Sequence, residues 1–243
     1  MSSIQVLSRR FIQRRVAGRW THLREDAPSA PHGRGPSWFD LRARPNQKPP
    51  AGDWRVHLIL AGRGWGKSKS IVEWAQEQAM AQPRSWGAVA AATAADARDV
   101  LVQGPSGFLN VEDQANRPKY LSSQRLLEWP NGSRALLFSA EEPNRLRGPQ
   151  FHWAVADEVA AWKRPETLDM LMFGLRLGRD PRLTAATTPR PTSVIKKLMA
   201  QPHTVVTRGT TYENRANLAP AFFEQIIRQY EGTRLGRQEL DAE

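Results

Sequence analysis

Gly66-Lys67-Ser68 closes a glycine-rich run, Ala61-Gly62-Arg63-Gly64-Trp65-Gly66, that follows the apolar stretch 58–60. This is the ending of a Walker A loop. Its backbone N–H groups cradle phosphates, Lys67 reaches the β/γ oxygens, and the Ser68 hydroxyl sits on Mg²⁺. The motif normally starts with glycine, and here that position is Ala61. A second chemical cluster lies ninety residues after Lys67, where Phe151-His-Trp-Ala-Val-Ala runs into Asp157-Glu158. Such a strand end is the form of a Walker B element, in which the Asp holds Mg²⁺. The Glu that follows is placed to orient or deprotonate the attacking water. Together the two elements predict a site for Mg-ATP hydrolysis.

Three further groups can serve that chemistry. Thr187 and Thr188 end the apolar run 183–187, where hydroxyls can sense a γ-phosphate and pass its state onward; a capped strand-to-loop turn is the plainer reading. Arg145 and Arg147 precede the Walker B run, and an arginine poised there can stabilise transition-state charge. Arg63, inside the loop, can contact phosphate in cis. Trp65 is expected to pack near the nucleotide, whereas Trp74 and Trp153 read as core. The five histidines have no metal-ligand spacing.

To hold these groups at one edge, the chain needs parallel strands alternating with helices, and from Trp54 the pattern supplies them. Strands are expected over 55–61, 86–92, 151–156, 183–187 and 204–210. Helices are expected over 70–80, with its N-terminus facing the phosphates, and over 93–102, capped by Thr93. Pro130-Asn131-Gly132 between apolar runs 126–129 and 133–139 is a hairpin signal. The fold class is α/β, a mostly parallel sheet flanked by helices.

The 243 residues suffice for one sizeable domain, and the absence of cysteine removes disulfides and thiolate metal sites. No apolar run approaches the ~20 residues that span a bilayer, so no membrane partner is expected. The net charge of +11 points to a polyanionic partner. Its distribution is uneven: residues 1–50 carry ten Lys/Arg against three Asp/Glu. Ile4, Leu7, Phe11, Ile12 and Val16 predict a basic amphipathic helix in 1–24 that touches nucleic acid or a partner. A helix packed on the domain and a transit peptide are the competing readings. Residues 26–53, rich in Pro, Gly and Arg, read as an irregular linker. The chain thus divides into an arm and linker, 1–53, and a P-loop ATPase domain, 54–243.

Over roughly 40–243 these residues resemble the large terminase subunit, the DNA-packaging motor of tailed bacteriophages and related prophage or gene-transfer elements. The resemblance rests on 44–54, the variant loop 61–68, Arg147-Gly148-Pro-Gln-Phe151 leading to 156–162, Thr187-Thr188-Pro189-Arg190-Pro191, Thr211-Tyr212-Glu213-Asn214 and 232–240. It implies an ASCE-type P-loop ATPase, with the coupling motif at Thr187 and Thr188 on a strand between the two Walker strands. It implies that Gln47 helps hold adenine. It further implies a subunit that is monomeric in isolation and assembles as a ring on the portal of a procapsid. That ring would work in the bacterial host cytoplasm with a small terminase subunit and pull in double-stranded DNA. Family members continue into a nuclease domain, and this chain ends near where that domain would begin, so genome cutting is not expected of this polypeptide. A helicase-like ATPase on nucleic acid is the alternative, as is a nucleotide-sensing DNA-binding module without translocation.

Overall fold

The structure, a computed structural model, describes residues 4–8, 11–16, 19–24 and 37–242. They fall into two compact units, 1–34 and 35–243. In the first, β1 (Ile4–Ser8), β2 (Phe11–Val16) and β3 (Arg19–Arg24) form an antiparallel sheet in that order. The expected helix is therefore replaced by strands. Apolar residues there fit either period, and the β-branched and aromatic content together with two-residue separations between segments favours a meander.

The second unit is built on an eight-stranded sheet. It comprises β4 (Val56–Ala61), β5 (Trp86–Ala91), β6 (Lys119–Leu121), β7 (Leu126–Glu128), β8 (Arg134–Ser139), β9 (Trp153–Asp157), β10 (Arg182–Thr187) and β11 (Thr204–Gly209). The order is β11-β4-β10-β9-β5-β8-β7-β6. Neighbours from β11 to β8 are parallel, and β7 and β6 add on antiparallel. The Asn131-Gly132 signal is the β7–β8 turn, with Gly132 at φ +83°. The fold is thus α/β, of the P-loop ASCE type, with β10 between β4 and β9. Strand β6 was not anticipated from the sequence.

Buried on both faces, these strands read as continuous apolar runs instead of alternating ones. Along β4, Val56, Leu58 and Leu60 face one apolar layer, and Ile59 and Ala61 face the other. The second layer is covered mainly by α2 (Lys67–Ala81), with α1 (Trp38–Leu41) and the helical stretch 94–102, which begins as α3 (Ala94–Asp96). The first is covered by α4 (Glu166–Gly174) and α5 (Ser193–Ala200), neither of which the sequence reading placed. Small residues on β5 have a packing reason: a Cβ on Gly87 would lie 2.3 Å from the Trp153 indole. Trp74 packs beside Trp54 at 5.9 Å, and Trp153 beside Trp129 at 5.9 Å, so both are core.

Residues 37–53 belong to this unit rather than to a linker. Trp38, Phe39 and Gln47 are buried, and the first two join the α2 layer. Their apolar area outweighs the Pro/Gly content that suggested an irregular tether. Among the described residues no helix is long and apolar enough to cross a membrane.

Candidate nucleotide site

The phosphate loop leaves β4 at Ala61 and enters α2 at Lys67. Ala61 is a buried strand residue with no positive φ, so this position does not require the usual glycine. The next position does. A Cβ on Gly62 would sit 2.6 Å from both the Leu240 carbonyl and Thr211 Oγ1. Gly64 and Gly66 take φ of +75° and +102°, which only glycine adopts without strain.

Three loop carbonyls are held from outside. Thr211 Oγ1 donates to Arg63 O at 2.7 Å, and Asn214 Nδ2 to Gly64 O at 2.6 Å. Arg44 NH2 and Gln47 Nε2 donate to Trp65 O at 2.6 and 3.2 Å. In a trans peptide the C=O and N–H point opposite ways. Fixing these carbonyls therefore also fixes the directions of the Gly64, Trp65 and Gly66 N–H groups. The first N–H groups of α2, at Lys67 and Ser68, have no intrahelical acceptor and add to the same anion cradle.

The Trp65 side chain does not face the cradle. It is fully buried, its Nε1 donates to Glu213 Oε2 at 2.9 Å, and Gly209 leaves room for the indole. Burying so large an apolar ring wins over any contact with ligand, and it pins the loop to the core.

Lys67 is buried, with Nζ donating to Ala61 O (2.9 Å), Gly62 O (3.2 Å) and Thr188 Oγ1 (3.2 Å). Burial holds its pKa below the ordinary lysine value, against the pull of Glu158 and Asp157. Across the mouth, β9 delivers Asp157, whose Oδ2 accepts from Ser68 Oγ at 3.1 Å. Its Oδ1 is buried with no hydrogen-bond partner. Burial, and then Glu158, pushes this carboxyl up to about 7, while Ser68 and Lys67 pull it down. A buried, unsatisfied carboxylate oxygen beside a serine hydroxyl fits a hard divalent cation, which takes oxygen ligands.

Glu158 lies in the left-handed region at φ +47°. That is a sparsely populated state for a non-glycine residue, of the kind found where neighbours over-determine the backbone. Its Oε2 accepts from Thr187 Oγ1 (3.1 Å) and from the Thr188 N–H (3.3 Å), and its Oε1 lies 4.0 Å from Lys67 Nζ. Thr187 Oγ1 also accepts from Ala160 N–H at 3.3 Å. Lys67, Ser68, Asp157, Glu158, Thr187 and Thr188 thus form one connected constellation.

A cavity of about 750 Å³ opens over it. Gly64, Gly66, Lys67, Ser68, Glu158 and Thr188 line its polar end, while Gln47 and Arg63 also face it. Trp38, Leu41 and Leu218 supply apolar walls that sequence reasoning missed, as it missed the bracing by Arg44, Thr211 and Asn214. No local signal marks these, since Asn214 and Gly64 are 150 positions apart in the chain.

The arginines separate. Arg63 stands at the cavity with Nε 3.5 Å from Glu239 Oε2. Arg145 and Arg147 lie in the connection between β8 and β9. Arg145 pairs with Glu142 at 3.4 Å, Arg147 is exposed, and neither lines the cavity.

Residues 58–243 match the family model described as terminase large subunit, T4-like-virus type, N-terminal. The chain belongs to the large terminase subunit family. Solved structures agree at the level of fold. The large terminase ATPase domain of Thermus phage P74-26 matches with a TM-score of 0.61 and 17% identity, covering 85% of this chain and 96% of that one. The large terminase of another thermophilic bacteriophage matches with a TM-score of 0.64 and 17% identity, covering 84% of this chain and 50% of that one. The same thermophilic-phage terminase in complex with ADP gives 0.64 and 18%, covering 85% and 51%. This chain therefore spans about half the length of that second terminase. No curated protein matches it significantly in sequence.

Proposed function

We propose that this domain binds and hydrolyses Mg-ATP as the engine of a terminase that drives double-stranded DNA into a procapsid. The observation that carries the reading is the convergence of the Ser68–Asp157 pair and the hydrogen-bonded set Lys67, Thr188, Glu158 and Thr187 beside a nucleotide-sized cavity. The second thermophilic-phage terminase, solved with ADP and with ATP-γ-S, supports nucleotide as the ligand.

In this reading the loop N–H groups and Lys67 take the phosphates, and Lys67 exchanges its contacts to Ala61 and Gly62 for β/γ oxygens. Gln47 and the apolar walls at Trp38, Leu41 and Leu218 receive the base. Ser68 and Asp157 would hold Mg²⁺, which when bound supplies positive charge for the phosphate oxygens. Glu158 accepts the proton of the attacking water, oriented by Thr187 and Thr188. Those two threonines bond the general base and the phosphate-loop lysine at once, so they feel whether a γ-phosphate is present.

Arg63 is positioned to act in cis once released from Glu239. Arg145 and Arg147 do not line the cavity of their own subunit and serve as finger candidates for the next subunit of a ring. Portal protein, small terminase subunit and host cytoplasm follow from the same reading. Phosphate release from Mg-ATP tests it, with Lys67→Ala and Glu158→Gln beside wild type. Glu158→Gln should lose about 10²–10⁴-fold in turnover while still binding nucleotide. Turnover that survives Glu158→Gln would overturn the assignment.

A further inference from the structure

Four cations near the site have no part in that chemistry. Lys163 and Arg164 follow the 3-10 turn Val159–Ala161 that leaves Asp157 and Glu158. Arg190 and Lys196 follow Thr187 and Thr188 at the exit of β10. All four are exposed, and their side chains have no hydrogen-bond or ion-pair partner among the described residues. The nearby acids do little to offset them. Asp169 is taken by Lys197 at 2.5 Å and Glu142 by Arg145, which leaves Glu166 on the first turn of α4.

The two segments are joined to each other and to the catalytic carboxylate. Trp162, buried, donates from Nε1 to the Asp157 carbonyl at 3.0 Å, immediately before Lys163. The Ala160 N–H reaches Thr187 Oγ1 at 3.3 Å, and α5, which carries Lys196, packs against the turn 159–161. Thr187 Oγ1 in turn bonds Glu158 Oε2. A load on these cations therefore has a short hydrogen-bonded route to the general base.

We propose that Lys163, Arg164, Arg190 and Lys196 form a surface that grips the phosphate backbone of double-stranded DNA, and that the bonds through Thr187 report the grip to Glu158. Uncompensated cations suit phosphates, which position a duplex without reading its sequence. The two segments expose no aromatic ring, the group that single strands stack upon. The inference rests on the packaging-motor reading.

The test uses the full chain, a labelled blunt DNA duplex and a salt series, with fluorescence anisotropy for binding and phosphate release for turnover. Lys163→Ala/Arg164→Ala should keep wild-type basal turnover and melting temperature. It should reduce the slope of log affinity against log salt by about two, and it should lose DNA stimulation of phosphate release. Arg117→Ala/Lys119→Ala, the same charge loss beside the far strand β6, should change neither. Equal losses in both variants, or none in the first, would overturn the grip. Wild type that binds DNA with no change in turnover would overturn the link to Glu158. Wild type that binds no duplex would instead remove the DNA-motor reading, and this inference with it.

Discussion

Asp157 sits where its surroundings disfavour the ionised carboxylate. Its carboxyl is buried, one oxygen lacks a partner, and its pKa is pushed up to about 7. A raised carboxylate pKa means that the folded state resists ionisation, so the charge weakens stability above about pH 7 and the penalty fades as pH falls. Asp157→Asn removes the charge and keeps the shape. Thermal melting in metal-free buffer at mildly alkaline pH should show the variant more stable, by about 2–4 °C for each kcal/mol relieved. Mg-dependent nucleotide binding should be lost in the same protein. An unchanged or lower melting temperature would show that the buried charge costs nothing. Stability and function are opposed at this residue, as at many strained sites.

The phosphate loop works as an element because neighbouring side chains fix its backbone. Thr211 and Asn214 lie in the 3-10 turn Thr211–Asn217 and fasten the Arg63 and Gly64 carbonyls, while Trp65 is sunk against Gly209. Asn214→Ala removes one such bond, worth about 1 kcal/mol. Isothermal titration should find nucleotide affinity several-fold weaker with the fold intact; unchanged affinity would mean that the brace is redundant. Gly209→Ala attacks the other anchor, since its Cβ would stand 2.0 Å from Trp65 Nε1. The expected cost is about 1–3 kcal/mol, visible as a lower urea midpoint and accompanied by weaker ATP binding. A wild-type midpoint would show that the indole can move without consequence.

At the scale of the whole molecule, stability has a pH signature set by a histidine outside the site. His57 is buried on β4, its Nε2 lies 2.9 Å from Thr207 Oγ1 on β11, and burial lowers its pKa from 6.5 to about 4. Between those values the unfolded chain binds a proton that the folded chain refuses. Stability is therefore whole above about pH 6.5, falls as pH drops toward 4, and loses at most about 3 kcal/mol by that route. Denaturant midpoints across that window should show the fall, and His57→Gln should flatten it. The proposed ring makes a second prediction at this scale. If Arg147 serves the neighbour's site, mixing Arg147→Ala with Glu158→Gln should restore turnover that neither variant has alone, because some interfaces regain both groups. A mixture as inactive as its parts would remove the trans arginine.

The sequence by itself determined the two chemical clusters and the strands that end in them. Gly66-Lys67-Ser68 and Asp157-Glu158 are short-range patterns, and apolar runs flanked by glycine mark buried parallel strands without help from the rest of the chain. The Asn131-Gly132 turn was legible for the same reason. Patterns that satisfy two periods were not legible: 1–24 read as a helix, and strands occupy 4–8, 11–16 and 19–24. The place of β10 between β4 and β9 was legible only through the family resemblance, and only the tertiary structure brought Thr187 against Glu158. It also sent the Trp65 ring into the core and carried Asn214 and Thr211 back to a loop some 150 residues earlier to complete it. Those contacts depend on sheet order and long-range packing, which no local spacing of residues encodes.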